Sequence, residues 1–147
     1  SFGMVRLLSW GWRRAPFSPE EVVRDFADTL RRFGVRTVTG DRYGGEWPRE
    51  AFQRFGINYD VAARDRSALY RETLPLFTGG RVELPPGARI AHQFASLERH
   101  TSRGGKDRID HPPHGHDDVA NAIAGVATLV AGKPQETAEA TPITGLV

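Results

Sequence analysis

The chain has no cysteine among its 147 residues, which excludes disulfide bonds and zinc sites built on thiolates. It has no apolar run near the ~20 residues that a transmembrane helix needs, and no signal-peptide pattern at its start. Lysine is scarce, because only Lys106 and Lys133 among the 20 basic residues are not arginine. What is present, 39% hydrophobic and 26% charged residues, is the composition of one soluble globular domain.

Arginine therefore supplies nearly all of the positive charge, although the net charge is only +2. Guanidinium groups match the geometry of phosphates, so this bias is compatible with a polyanionic partner. A GC-rich genome produces the same bias, and composition alone leaves both explanations open.

Helical and strand patterns alternate along the chain. Ser18 as N-cap, Pro19 at the first position and Glu21 three residues after the cap predict a helix that ends at Gly34. The β-branched run at 35–39 then predicts a strand. Weaker patterns predict strands at 4–10, 57–62 and 81–84, and helices at about 46–55, 67–77 and 88–100. This alternation predicts an α/β fold whose ligands bind beyond the carboxyl ends of the strands.

Two acidic positions are candidates for a functional site. Asp41 follows the strand at 35–39, where ligands bind in α/β sheets, although aspartate is also a common turn residue. Asp117 and Asp118 begin a last helix whose apolar residues recur at helical spacing between positions 119 and 130. Capping and the helix dipole account for one of these two carboxylates. The pair predicts a metal or catalytic site, with capping and solvation as the alternative.

A basic, glycine-flanked segment at 101–115 leads into this Asp pair. Its Arg103, Lys106 and Arg108 predict contacts to a phosphate backbone, and the alternative is a solvated hairpin or loop. Four of the five histidines lie in or beside the segment, namely His100, His111, His114 and His116. Their spacing fits no zinc signature, so a zinc site is not favoured.

The last residues of the chain have a different composition. Residues 133–142 show no apolar period, and beyond them only Ile143, Leu146 and Val147 are apolar. Such a segment buries too little surface to offset the entropy of ordering, so residues 132–147 are predicted to form a flexible tail.

Five short motifs occur along the chain: GDRYGGEWP at 40–48, LYRE at 69–72, GGRVELP at 79–85, GKDRIDHP at 105–112 and GHDDVANA at 115–122. Each is weak alone. In their order and spacing they resemble the nuclease domain of bacteriophage and prophage terminase large subunits, over about residues 4–131.

The resemblance implies a ribonuclease H-like fold, a mixed sheet flanked by helices, that binds two divalent ions, Mg²⁺ or Mn²⁺. By position it implies Asp41, Asp117 and Asp118 as catalytic metal ligands. DNA-backbone contacts fall to Arg103, Lys106 and Arg108, and His111 and His116 lie beside the ligands. The implied function is a metal-dependent endonuclease that cuts concatemeric viral DNA during packaging in the cytoplasm of a bacterial host. Implied partners are double-stranded DNA, the terminase ATPase domain, the small terminase subunit and the portal.

One departure from the family pattern concerns the first catalytic aspartate, which lies on the first strand of the family's sheet. The acids before Asp41 fall in or at the start of the first predicted helix, and residues 4–10 resemble the third strand of the family. Residues 1–131 are therefore expected to be an N-terminally truncated nuclease domain that lacks its first two strands. The alternatives are a catalytically impaired DNA-binding or packaging-scaffold remnant, and an unrelated α/β domain whose Asp pair caps a helix.

Overall fold

A computed structural model of the chain describes residues 4–42 and 46–131. The elements run in the order β1 (Val5–Arg6), α1 (Pro19–Arg32), β2 (Thr37–Gly40), α2 (Trp47–Arg54), β3 (Asn58–Val61), α3 (Arg66–Thr78), β4 (Val82–Glu83), α4 (Ala88–Ala95), β5 (Glu98–Thr101), β6 (Asp107–Asp110) and α5 (Asp118–Ala131). The α/β class predicted from the sequence is confirmed. No helix in the described ranges is long and apolar enough to cross a membrane. The predicted tail at 132–147 lies outside the described residues.

The strands form three separate pairs. β1 pairs with β4 and β2 pairs with β3, both in parallel, whereas β5 and β6 form an antiparallel hairpin. The expected single mixed sheet is thus present within the described residues only as short two-stranded pieces. An apolar groove of about 340 Å³ lies between the two parallel pairs. Its lining includes Leu7, which follows β1, Val38 of β2, and residues of α1 and α5.

The first helix begins where the sequence predicts it. Ser18 Oγ accepts a hydrogen bond of 3.5 Å from the Glu21 backbone N–H, and Pro19 occupies the first turn. The helix buries Val22, Val23 and Ala27 against β2, α2 and β3, where Phe52 and Tyr59 stack with their ring centroids 5.9 Å apart. This cluster fixes the carboxyl end of β2, and so the position of Asp41.

The fourth helix is shorter than predicted. Helical spacing of Ile90, Phe94 and Leu97 favoured a helix to residue 100, but α4 ends at Ala95 and residues 98–101 form β5. Segment 101–115 is also not a plain loop, since residues 107–110 form β6. The prediction of a helix across 96–100 is wrong, because the backbone of β5 makes its hydrogen bonds to β6. Hydrophobic periodicity within a short stretch does not reveal such a partner strand.

α5 is the central element of the fold. It contacts α3, α4, β1 and β2. A single apolar stripe was predicted, but every residue from Val119 to Gly125 is buried. Alanine and glycine at 120, 124 and 125 allow close packing on several sides at once, so the first half of the helix is enclosed. Its N-terminal end is thereby held rigidly, and that end carries the Asp pair.

Candidate active site

Asp117 lies directly before α5 and is only 6% exposed. Its Oδ2 accepts a hydrogen bond of 2.7 Å from the hydroxyl of Tyr70, a buried residue of α3. Burial raises the pKa of Tyr70 above its ordinary value, and the negative charge of Asp117 raises it further. The phenol therefore stays protonated and donates to Asp117 Oδ2, which leaves Oδ1 facing Arg66 and His111.

A second carboxylate, Asp110, lies at the end of β6. Its Oδ1 accepts from the His111 backbone N–H at 2.8 Å, and its Oδ2 accepts from Arg108 at 2.8 Å. Burial alone would raise the pKa of Asp110, but these two hydrogen bonds and the charge of Arg66 outweigh it and lower the pKa. Asp110 is consequently a carboxylate at neutral pH.

The two carboxylates converge on one position. Arg66 Nη1, from the first turn of α3, lies 3.2 Å from Asp110 Oδ1 and 3.4 Å from Asp117 Oδ1. His111 Nε2 lies 3.8 Å and 4.0 Å from the same two oxygens. Two carboxylate oxygens, one from the end of β6 and one from the start of α5, thus face the Arg66 guanidinium, with the His111 imidazole beside it.

Asp118 is oriented differently from its neighbour. Its Oδ2 accepts from Trp12 Nε1 at 3.0 Å, and its Oδ1 accepts from Gln93 Nε2 at 3.1 Å. Gln93 also accepts from the Ala120 backbone N–H at 2.9 Å, and the Arg89 guanidinium lies 3.5 Å from the centre of the Trp12 ring. Asp118 therefore ties the start of α5 to α4 and to the segment after β1.

Asp41 follows β2, as predicted. Its backbone oxygen accepts from the Tyr59 hydroxyl at 3.0 Å, and burial together with the Asp41 charge raises the pKa of Tyr59 to about 12. Gly40 is needed here because a Cβ at that position would overlap the Tyr59 hydroxyl. Within residues 4–42 and 46–131, no group of three or more His, Asp or Glu side chains is arranged to hold a metal ion. The assignment of Asp41 to a site shared with Asp117 stays a prediction.

The basic residues predicted to contact DNA lie on the β5–β6 hairpin. Arg103 and Lys106 are exposed in its turn, and Arg108 is exposed on β6 although it pairs with Asp110. The hairpin is attached to α3 through Ser67 Oγ, which accepts from the Ile109 backbone N–H at 2.9 Å. The same strand therefore carries the basic turn and one of the two converging carboxylates.

A cavity of about 510 Å³ opens beside Asp117. Its charged and titratable lining consists of Arg13, Arg14, Arg89, His111, His116, Asp117 and Asp118. His111 and His116 were predicted to lie near the acidic pair, and both border this cavity. Sequence reasoning assigned no site role to Asp110, Arg66, Tyr70 and the three lining arginines, because only the fold brings together residues so far apart in the chain. Local signals were present in the motifs that contain Tyr70 and Asp110 and in the Arg13-Arg14 pair.

The sequence matches no protein-family model and no curated protein. The fold, however, matches the large terminase nuclease from thermophilic phage G20c with a TM-score of 0.67 and 20% identity, over 79% of this chain and 64% of that one. The chain has the fold of a phage large terminase nuclease. The resemblance seen in the sequence motifs is confirmed at the level of fold.

Three further solved structures of terminase nucleases match to a similar degree. The nuclease domain of Thermus phage P74-26 has a TM-score of 0.63 at 20% identity, over 80% of this chain and 63% of that one. The G20c nuclease with bound magnesium has a TM-score of 0.62 at 20% identity, over 74% and 60%. A third, the G20c nuclease with bound cobalt, gives the same values. This chain therefore spans less than two thirds of the length of the terminase nucleases that it matches.

Proposed function

We propose that this chain is the ribonuclease H-like nuclease domain of a phage terminase large subunit, which cuts concatemeric viral DNA during packaging by a two-metal mechanism. The observation that carries the proposal is the convergence of Asp117 and Asp110 on one cation position, beside an arginine-lined cavity, in a chain with a terminase nuclease fold. Buried carboxylates are costly unless a cation faces them. Arg66 faces them here, and solved structures of the same fold have bound magnesium or cobalt.

The donor atoms present are of the chemical types that a hard divalent cation binds. Asp110 and Asp117 supply carboxylate oxygens, the preferred ligands of Mg²⁺, and His111 supplies a nitrogen that Mn²⁺ accepts more readily. Solved relatives contain magnesium and cobalt. Metal bound in this place supplies a Lewis acid for the scissile phosphate and lowers the pKa of the attacking water.

The contacts support different proposed roles for the expected ligands Asp41, Asp117 and Asp118. Asp117 is proposed as a direct ligand, because its Oδ1 faces the shared cation position. Asp118 is proposed to position it, since both of its oxygens already accept hydrogen bonds from Trp12 and Gln93. Asp41 is proposed to complete the metal site from the end of β2.

The basic residues are proposed to hold the DNA backbone. Arg103 and Lys106 on the hairpin turn, with Arg108 on β6, would contact phosphates from one side. The cavity arginines at 13, 14 and 89 would contact them next to the acidic pair. Such contacts orient a duplex without reading its sequence, which suits an enzyme that cuts long genomic DNA. His111 and His116 are proposed to donate or accept protons beside the metal ligands.

The proposed partners are double-stranded DNA, the terminase ATPase domain, the small terminase subunit and the portal, in the cytoplasm of a bacterial host. A second candidate function is a DNA-binding or packaging-scaffold remnant without catalysis. It is favoured by one observation, which is that the described residues bring together two carboxylates on the cation position and not three.

A comparison of DNA binding and plasmid nicking separates the two candidates. For a nuclease we expect binding of a short duplex to strengthen in Mn²⁺, slow Mn²⁺-dependent nicking of supercoiled plasmid, and loss of both effects in Asp117→Asn. The matched control is Asp28→Asn, which alters an exposed carboxylate paired with Arg31. Duplex binding that ignores both Mn²⁺ and Asp117→Asn, with no nicking, would establish the remnant instead.

A further inference from the structure

The guanidinium of Arg66 occupies the position that the two carboxylates share. Asp110 lies 44 residues from Arg66 in the sequence, yet both Asp110 Oδ1 and Asp117 Oδ1 lie within 3.4 Å of Arg66 Nη1. The Arg66 side chain is 37% exposed, against 6% for that of Asp117. Arg66 is thus more exposed than either carboxylate that it faces, and it has a route to solvent.

We propose that Arg66 is a built-in counter-cation that neutralises Asp110 and Asp117 in the metal-free protein and must leave before a divalent ion is bound there. The inference rests on the proposed metal-dependent function. The guanidinium and a divalent ion cannot both occupy the position between Asp110 Oδ1 and Asp117 Oδ1, because their atoms would overlap and their charges would repel each other. Arg66 and the metal ion therefore compete for one place.

The surroundings permit this exchange. Tyr70 holds Asp117 Oδ2, and the His111 backbone N–H and Arg108 hold Asp110, so both carboxylates keep their orientation when Arg66 withdraws. Arg66 lies in the first turn of α3, where Asp65 caps the helix with a 2.8 Å bond from the Ala68 backbone N–H. The helix start does not depend on the Arg66 side chain, which is free to swing toward solvent.

The consequence is that Arg66 keeps the site folded in the absence of metal but lowers its affinity for the metal ion. A bare pair of carboxylates, one of them buried, would repel each other and destabilise the junction of β6, α3 and α5. Arg66 removes that repulsion. The apparent affinity for the metal ion is then reduced by the free energy needed to displace the guanidinium from the two carboxylates.

Titration calorimetry with MnCl₂ on wild type, Arg66→Gln and Arg64→Gln tests the proposal. Arg64 carries the same change two residues away and pairs only with the exposed Glu72 among the ion pairs of the described chain, at 2.7 Å. We expect Arg66→Gln to bind Mn²⁺ about tenfold more tightly than wild type, equivalent to about 1.4 kcal/mol. Arg64→Gln should match wild type, and Arg66→Lys, whose compact charge cannot bridge both oxygens equally, should fall between them.

Thermal unfolding gives an independent readout. In EDTA the melting temperature of Arg66→Gln should lie below that of wild type. Mn²⁺ should raise it by more than it raises that of wild type, since stabilisation by a ligand grows with the logarithm of its affinity. A measurement on the unmutated chain is the Arg66 side-chain Nε resonance, which should shift during titration with Mg²⁺.

The outcomes separate this inference from the proposed function. Equal Mn²⁺ affinity in wild type and Arg66→Gln, or an unmoved Arg66 resonance while Mg²⁺ binds, overturns the competition and leaves the metal site standing. Weaker binding by Arg66→Gln also overturns it, because Arg66 would then assist the ion. Absence of Mn²⁺ binding in all four proteins overturns both the inference and the metal-dependent nuclease.

Discussion

Asp118→Ala should destabilise the fold rather than simply remove a metal ligand. The carboxylate accepts one hydrogen bond from the Trp12 indole and one from the Gln93 amide, and both are partly buried. A hydrogen bond to a charged group contributes about 1.5–3 kcal/mol, and the lower end suits a partly buried site. Loss of negative charge at the α5 N-terminus adds about 0.5 kcal/mol. The free energy of unfolding should therefore fall by roughly 3 kcal/mol.

The assay is unfolding by urea and by heat, followed by tryptophan fluorescence, to which Trp12 contributes together with Trp10 and Trp47. At about 2–4 °C per kcal/mol for a chain of this size, the melting temperature should drop by roughly 6–12 °C. The matched control is Asp28→Ala on α1, whose exposed i,i+3 pair with Arg31 should be worth at most about 0.5 kcal/mol.

A double-mutant cycle with Trp12→Phe isolates the indole contact. Phenylalanine keeps an aromatic ring beneath Arg89 but has no N–H to donate, so the cycle should show a coupling of about 1 kcal/mol or more. An Asp118→Ala protein that unfolds within 0.5 kcal/mol of wild type would refute the structural role and return Asp118 to the list of candidate ligands.

Two further predictions concern pH and salt. Because burial and the charge of Asp117 raise the pKa of Tyr70, the stabilising contribution of Tyr70 is complete below pH 10 and is lost as the pH rises further. We therefore expect Tyr70→Phe to be less stable than wild type at neutral pH. Above pH 10 the variant should lose stability less steeply than wild type. Equal slopes for the two proteins in alkaline denaturation would contradict this. Lys106→Ala should weaken duplex binding equally for unrelated sequences and reduce the salt slope by about 1 in a fluorescence-anisotropy titration, whereas a sequence-dependent loss would argue against a backbone contact.

Local features of the sequence determined much of the fold. Ser18 and Pro19 specify the start of α1 because a hydroxyl acceptor and a fixed φ satisfy the needs of a helix N-terminus within four residues. The alternation of helical and strand patterns determined the α/β class and nearly all of the element order. The sequence also predicted the charged turn at Arg103 and Lys106 and the acidic start of the last helix, since the residues of each feature are close together in the chain.

The hairpin and the strand pairs were decided by tertiary structure. Residues 98–101 have helical spacing before them, but β5 exists because β6 is present to share its backbone hydrogen bonds. A strand is stabilised by hydrogen bonds to a partner strand that a short stretch of sequence does not identify, whereas a helix makes its backbone hydrogen bonds within itself. Sequence periodicity therefore placed α1 correctly and extended α4 too far.

The different roles of Asp117 and Asp118 were also decided only in three dimensions. The sequence presents two identical adjacent residues, and nothing local distinguishes them. In the fold, Tyr70 of α3 holds one carboxylate and Gln93 of α4 holds the other, because residues adjacent at a helix start point about 100° apart and meet different neighbours. Side-chain direction selects the partners, and the partners come from helices that lie 47 and 25 residues away along the chain.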